Sequence, residues 1–359
     1  MNAEEILGGG ASLALTPGDR DLLRLLRTAD RDEARTIWTK WSQEHPLDSA
    51  TSRELRVLPA VTQRLLALGV EDPNLGRLRG IARFHWLWTQ HATRASLAAA
   101  AALSAGGVQV VALKGLALHS LGILSRAERP ITDGDLLVSG ELDQACSVLA
   151  PLGFAVQHRY LHAWTCVRGP QEELDLHRFP VHLDSRSGDF TFAAATQPDG
   201  APFLVPSHAH LLLHACLHGV RKWSGSVLWV LDVARIVATG AVDWAGLVQL
   251  ARARCLSLAL TDALGVVGDA VPQAVLRELR TQRVSALEAL EYVSATGCLP
   301  GPWMASASRA TQAMRDLRKA AAVIDDRELA RTERRLGLPW HSDWPGAWQR
   351  REPRRAWAE

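Results

Sequence analysis

The amino-acid sequence predicts an α+β protein, in which a small mixed-sheet core is flanked by N-terminal and C-terminal helical regions. Up to about residue 105, apolar residues recur at helical spacing, as in "DRDLLRLLRTA". Short apolar or β-branched runs then alternate with helical stretches, and glycine or proline separates them. Helical spacing returns after about residue 205. We therefore expect four parts, with bounds at 1–105, 106–205, 206–335 and 336–359.

The central part has the predicted order β-α-β-α-β-β-β, which indicates a mixed sheet. Its first strand is the β-branched run "VQVVAL" next to two glycines, a pattern typical of a buried strand. The final part contains "RREPRR" and is basic and rich in proline, so we expect a flexible tail. The core elements are predicted in the stretches "VQVVAL", "GLALHSLGIL", "ITDGDLLV", "GELDQACSVLAPLG", "FAVQHR", "AWTCVRG" and "EELDLHR".

Composition and charge limit the class of protein. The 359 residues are 47% hydrophobic and 22% charged, which is ordinary for a soluble globular chain. A net charge of +2 argues against long nucleic acid as a partner. The five cysteines are isolated, the N-terminus lacks a leader pattern, and no apolar run is long enough to span a membrane. We therefore expect a cytoplasmic protein with reduced thiols and no membrane span.

Two aspartates stand one residue apart in "PITDGDLLVS". If this stretch is a strand, Asp133 and Asp135 point to the same face, because side chains alternate with period two. Their Cα atoms would be roughly 6–7 Å apart, so both carboxylates could bind shared cations. The alternative interpretation is a turn, because Asp-Gly is typical of hairpins.

Two other stretches of the core fit the same site. In "LKG", Lys114 and Gly115 stand at a strand–helix junction, where a glycine admits a ligand and the helix start offers N–H groups to an anion. In "ELDLH", Glu173, Asp175 and His177 alternate on one face of a later strand. A third carboxylate completes an oxygen site of the kind Mg²⁺ prefers. Two such ions, about 3.5–4 Å apart, would hold the attacking and leaving oxygens of a phosphoryl displacement.

A run of histidines in "PSHAHLLLHACLHGV" is the competing signal. His210, His214 and His218 are four residues apart and lie on one helix face, close to His208. Such spacing can bind Zn²⁺, although no carboxylate lies within the run. The other interpretations are a structural role and a role next to substrate.

Together these motifs resemble the nucleotidyltransferase fold of the DNA polymerase β superfamily. They resemble more closely a bacterial family usually labelled uncharacterised nucleotidyltransferase, often found beside peptide natural-product genes. The resemblance covers about 100–250 and rests on "ALKGLAL", Arg129 before "TDGDLLV", "LDLHR", "VPSHAHLLLHACLH" and "WVLDVARI". Leu116 stands where the superfamily usually has Gly or Ser, and Gly134 stands where an aliphatic residue is usual.

The resemblance implies roles for three groups of residues. Phosphate binding is implied for Lys114, Gly115 and Arg129, although a structural salt bridge is the alternative for Lys114 and Arg129. Metal binding and catalysis are implied for Asp133, Asp135 and Asp175. Positions next to substrate are implied for His177, His218 and Asp232, and a structural hydrogen bond is the alternative for His177. Because His218 and Asp232 both coincide with positions of the resembled family, we expect a hydrogen bond between them, on paired helices close to the cleft.

The function that follows is Mg²⁺-dependent nucleotidyl transfer with two bound ions. A nucleoside monophosphate would move from an NTP, by default ATP, to an acceptor, with release of pyrophosphate. The acceptor would be a small molecule, a peptide or a protein, and the setting natural-product biosynthesis. The alternative function is that of a non-catalytic, nucleotide- or peptide-binding interaction protein built on the same fold.

Overall fold

The computed structural model describes residues 2–7, 15–160, 163–180, 194–220, 227–285, 288–289 and 292. The predicted tail, 336–359, and the end of the predicted C-terminal helical region lie outside these residues. No helix in the described part of the chain is long and apolar enough to cross a membrane.

A series of helices precedes the sheet, as the spacing of apolar residues predicts. Several begin at a side-chain cap, for example Thr16, whose hydroxyl accepts from the backbone N–H of Asp19. The longest helix has 31 residues and contacts the central strands with its Ala-rich C-terminal half. The helices are α1 (Ala3–Leu7), α2 (Pro17–Arg27), α3 (Arg31–Glu44), α4 (Ser52–Leu55), α5 (Leu58–Ala67) and α6 (Leu75–Ala105).

A five-stranded sheet forms the core, and the prediction of a mixed sheet is confirmed. Its strand order is β1-β2-β5-β4-β3, in which β2 and β5 are parallel and the other neighbours are antiparallel. Helices α7 (Lys114–Ser120) and α8 (Leu142–Leu149) follow β1 and β2. The strands are β1 (Val110–Ala112), β2 (Gly134–Val138), β3 (Ala155–Arg159), β4 (Ala163–Arg168) and β5 (Glu172–His177).

The C-terminal helices pack around one central helix, which begins at the side-chain cap Ser207. This helix, α9, contacts its neighbours α10, α11 and α12 and also α7 at the sheet. Two short strands, β6 (Ala195–Thr196) and β7 (Val205–Pro206), pair with each other just before it. The C-terminal helices are α9 (His208–Gly219), α10 (Leu228–Ala238), α11 (Trp244–Ala253), α12 (Ser257–Val267) and α13 (Gln273–Thr281).

Gly134, the unusual residue between the two aspartates, begins β2 directly beneath α6. A Cβ atom at this position would overlap the Oγ of Ser96 and lie 2.8 Å from Leu174 Cδ2. Ser96 is fully buried and donates a hydrogen bond to the Ala92 carbonyl, so its side chain is fixed. The close approach of α6 to the sheet therefore explains the glycine.

Replacing Gly134 with alanine is expected to destabilise the fold by about 1–3 kcal/mol, because the added methyl group overpacks the α6–β2 contact. The matched control is Gly80→Ala in helix α6, where an added Cβ meets nothing within 4 Å. This control should be neutral or stabilising, since alanine favours helix. Urea denaturation measures both, and Ser96→Ala in the Gly134→Ala background should recover part of the loss. Equal denaturation midpoints for Gly134→Ala and wild type would contradict the packing argument.

Candidate active site

The parallel pairing of β2 with β5 brings a cluster of three side chains together. Asp135 and Asp175 are direct neighbours in the register. His177 follows Asp175 by two residues, on the same face of β5. Its Nε2 lies 2.9 Å from Asp135 Oδ1, and both side chains are buried. Potential ligand atoms of the three residues all lie within 4.8 Å of one another.

Asp133 lies outside this cluster, in a bend before β2. The prediction that the strand includes both aspartates is wrong, because β2 begins at Gly134. The cause is a bond to α6: the backbone N–H of Ile131 donates to Thr89 Oγ1. Asp133 is partly exposed, and its Oδ1 accepts a hydrogen bond from Thr132. Its negative charge nevertheless acts on Asp175.

Lys114, the first residue of α7, forms an ion pair with Asp135. Its Nζ lies 2.5 Å from Asp135 Oδ1, the same oxygen that faces His177. Burial raises the pKa of Asp135, but Lys114 and His177 outweigh burial and hold that pKa below its usual range. Burial likewise lowers the pKa of Lys114, and the surrounding carboxylates raise it by more. Both groups are therefore charged at neutral pH.

The backbone of Lys114 is strained, with a φ of +48°. A left-handed conformation costs a residue with a Cβ about 1–2 kcal/mol. The flanking contacts enforce it, because the N–H of Leu113 donates to the Asp135 carbonyl while the Lys114 side chain reaches the Asp135 carboxylate. Strain of this kind persists where the surroundings determine the conformation, and it is common at functional sites.

Asp175 has the opposite electrostatic character from Asp135. Burial, followed by the negative charges of Asp133 and Asp135, raises its pKa above the usual value. Thr165, on the neighbouring strand β4, donates a hydrogen bond of 2.6 Å to Asp175 Oδ1. The two neighbouring aspartates thus differ: Asp135 stays ionised, and Asp175 accepts a proton more readily.

Arg129, which the resemblance assigns to phosphate, forms a buried pair with Asp232 of α10. Nε and Nη2 of Arg129 lie 3.1 and 2.9 Å from the two carboxylate oxygens of Asp232. A second link, 3.1 Å long, joins Arg235 of α10 to Glu128. The partner that we expected for Asp232 was His218, whereas the structure shows Arg129. The loop that contains Glu128 and Arg129 is therefore attached to the C-terminal helices just before it reaches Asp133.

Gly115, the second residue of α7, packs directly beneath the same loop. A Cβ atom at this position would overlap Ile131 and lie 3.1 Å from Arg129 Nη1. The glycine thus permits the loop to approach α7. The role in phosphate binding that the resemblance implies for Gly115 remains a prediction.

A comparison with protein families places these residues in a known group. The family model described as Uncharacterised nucleotidyltransferase matches residues 49–272, more than half of the chain. The chain belongs to this nucleotidyltransferase family. The matched range includes Lys114, Asp135, Asp175 and His177, so the whole cluster lies inside the family region.

Two solved structures resemble this chain at low sequence identity. The antibiotic-resistance factor ANT(2″)-Ia is 16% identical, with 45% of this chain and 91% of that chain covered and a TM-score of 0.35. An antigenic nucleotidyltransferase-like protein from Paracoccidioides brasiliensis is 15% identical, with 48% and 94% covered and a TM-score of 0.32. A comparison with curated proteins gives no significant match.

The donor atoms of the cluster fit a divalent cation. Carboxylate oxygen and imidazole nitrogen are both metal ligands, and the set of Asp135, Asp175 and His177 supplies both kinds. The 2.9 Å between His177 Nε2 and Asp135 Oδ1 agrees with the roughly 3 Å between adjacent ligands of a six-coordinate ion with bonds of about 2.1 Å. The cluster can therefore hold a metal ion.

The run of histidines from His208 to His218 lies on α9 and is not part of this cluster. His214 is buried, and burial together with the nearby charge of Lys114 lowers its pKa to about 3. Burial lowers the pKa of His210 to about 4, and its Nδ1 lies 2.8 Å from Ser207 Oγ. These two histidines are therefore neutral at pH 7, and they belong to a helix that packs against the other C-terminal helices.

The buried histidines predict a loss of stability in mild acid. The pKa of His214 is about 3 in the fold and 6.5 without it, so unfolding takes up a proton below about pH 6. Stability is complete above pH 6.5 and falls by about 1 kcal/mol for each lower pH unit through this residue alone. We expect His214→Gln to make urea-derived stability less dependent on pH between 7 and 5. Equal slopes for His214→Gln and wild type would contradict this origin.

Proposed function

We propose that this protein transfers a nucleoside monophosphate from an NTP to an acceptor hydroxyl or other nucleophile and releases pyrophosphate. One observation carries the proposal: in a member of a nucleotidyltransferase family, adjacent parallel strands place Asp135 beside Asp175, with Lys114 and His177 on Asp135. The substrate NTP is ATP by default, and Mg²⁺ is the proposed cofactor, with two ions.

The proposed metal-binding residues are Asp135, Asp175 and Asp133, the last reaching in from the bend before β2. His177 joins them where the ion accepts nitrogen, and Mn²⁺ does so more readily than Mg²⁺. A bound divalent ion would neutralise charge on the triphosphate and lower the pKa of a coordinated hydroxyl.

Two residues have complementary roles in the transfer. Asp175, whose pKa is raised, accepts the proton of the attacking hydroxyl. The acceptor oxygen forms a bond to the α-phosphorus, and the bond from that phosphorus to the bridging oxygen breaks, so pyrophosphate leaves with its electron pair. Lys114 is charged and can turn from Asp135 toward a phosphate oxygen, which offsets the negative charge of the leaving group.

The acceptor is proposed to be a small molecule, a peptide or a protein. The net charge of +2 gives little support for binding long nucleic acid. Natural-product biosynthesis is the proposed setting. The products of genes adjacent to the one for this chain would therefore indicate which acceptors to test.

The test incubates the full chain with each NTP, Mg²⁺ or Mn²⁺, and candidate acceptors. Mass spectrometry should detect a nucleotidyl addition to one acceptor, and a coupled assay should detect an equal amount of pyrophosphate. An Asp133→Ala/Asp135→Ala variant should give neither signal. Turnover that is the same in this variant and in wild type would refute the site. NTP binding with no pyrophosphate release from any acceptor would favour the non-catalytic interaction protein.

A further inference from the structure

Arg56 is an arginine of the N-terminal helices that none of the motifs includes. It follows α4 directly, in the turn that leads to α5. This turn lies close to α6, because burial and then the positive charge of Arg56 lower the pKa of His85 in that helix. Further along α6, Thr89 bonds to Ile131 in the loop that enters the site. The α4–α5 turn and this loop therefore both lie next to the stretch of α6 from His85 to Thr89.

The side chain of Arg56 has no protein partner among the described residues. It is half-buried, and its Nε is fully buried without a hydrogen bond. The neighbouring arginines differ: Arg53 pairs with Asp19, and Arg64 donates to the Thr28 carbonyl. A buried guanidinium nitrogen without a hydrogen-bond partner is costly, so an anion that is absent from the described chain would stabilise it.

The charges around Arg56 are those of the candidate active site. Its guanidinium is within electrostatic reach of Arg129, Asp133, Asp232 and Asp135. Burial first, and then the positive charge of Arg129, lower its pKa, and the three carboxylates only partly oppose this. Asp232 is already paired with Arg129, and Asp135 with Lys114. Asp133 has the largest opposing effect, but it is partly exposed and accepts a hydrogen bond from Thr132. Arg56 is therefore a cation within electrostatic reach of the site that forms no ion pair with the described carboxylates.

We propose that Arg56 binds a phosphate group of the nucleotide substrate. This inference rests on the proposed function, because it takes an NTP as the ligand. Metal-binding carboxylates hold a triphosphate through the metal ion, which coordinates the phosphate oxygens, so an arginine in reach of Asp133 and Asp135 would lie close to those oxygens. The planar guanidinium can donate two parallel hydrogen bonds to one phosphate. The N-terminal helices would then contribute directly to substrate binding.

Equilibrium titration of the full chain with ATP and with inorganic tripolyphosphate, both with Mg²⁺ and without acceptor, tests this role. Arg56→Met should weaken the binding of both ligands by about 10- to 100-fold, the value of a charge-assisted hydrogen-bonded contact. Arg56→Lys keeps the charge but loses the two parallel hydrogen bonds, so its affinity for both ligands should be intermediate. The matched control, Arg79→Met, removes an exposed arginine of α6 and should bind like wild type.

Thermal unfolding without ligand separates substrate binding from a structural role. Arg56→Met should unfold at the wild-type temperature or above it, because the substitution removes an unpaired buried charge next to Arg129. Unchanged affinity for both ligands in Arg56→Met, or weakened affinity together with a lower unfolding temperature, would overturn the proposal. A wild-type protein that binds neither ATP nor tripolyphosphate would also overturn it.

Binding and transfer are measured separately, so the two proposals can fail separately. Tight ATP binding that depends on Arg56, without transfer to any acceptor, would support Arg56 and count against the proposed function. If transfer depends on Asp135, and Arg56→Met changes neither transfer nor ATP affinity, the proposed function is supported and the role of Arg56 is refuted.

Discussion

Replacing Asp135 with asparagine is expected to lower nucleotidyl transfer by about 1000-fold, the largest effect on activity that we predict. Asp135 is the shared partner of Lys114 and His177 and the neighbour of Asp175. An amide keeps the size of the side chain but removes the negative charge that would bind the ion. Pyrophosphate release measures activity, and calorimetric titration with Mn²⁺ should show that metal binding is lost as well.

Two further variants isolate the chemical role of Asp135 from its structural role. Asp48→Asn changes an exposed carboxylate that pairs with Arg77, and it should retain full activity. Adding Lys114→Met to Asp135→Asn removes the cation that has lost its counter-ion, so this double variant should recover stability but not activity. Activity within threefold of wild type in Asp135→Asn would show that the cluster is not the catalytic centre.

Replacing Arg129 with methionine is expected to destabilise the protein by about 3–5 kcal/mol, the largest effect on stability that we predict. Both Arg129 and Asp232 are buried, and the substitution leaves the Asp232 carboxylate without a counter-ion. A compensating Arg129→Met/Asp232→Leu variant should regain most of the loss, because it removes both charges. Urea denaturation at pH 7 measures all three proteins.

The nearby pair of Arg235 and Glu128 provides the control for this experiment. It joins the same helix to the same loop, but its side chains are 40% and 25% exposed. Arg235→Met should therefore cost no more than about 1 kcal/mol. Comparable losses in Arg129→Met and Arg235→Met would show that burial of the charges is not what determines the cost.

The fold was predictable because local patterns agree with the tertiary structure. The glycines around "VQVVAL" and the period-two pattern of "EELDLH" lie where strands β1 and β5 form. The faces on which Asp135 and Asp175 lie were predictable for the same reason, since strand periodicity fixes them. The start of β2 was not, because the bond between Thr89 and Ile131 connects residues 42 positions apart.

The partners of the site residues depend on contacts that no local pattern encodes. Arg129 and Asp232 are 103 positions apart, and only the packing of α10 against the loop brings them together. Thr165 reaches Asp175 through the register of β4 with β5. Arg56 lies in a short turn between helices, where an arginine is ordinarily solvated, so its sequence context carries no signal of the site.

The two links between α10 and the loop at 128–129 have a consequence for transplanting this active site into other proteins. A segment cut at residue 205 would carry every carboxylate of the cluster and also Lys114. It would lack Asp232 and Arg235, so the loop that leads to Asp133 would lose both of its links to α10. A segment that keeps the candidate site of this chain together with both links therefore extends through α10, well beyond the last strand of the five-stranded sheet.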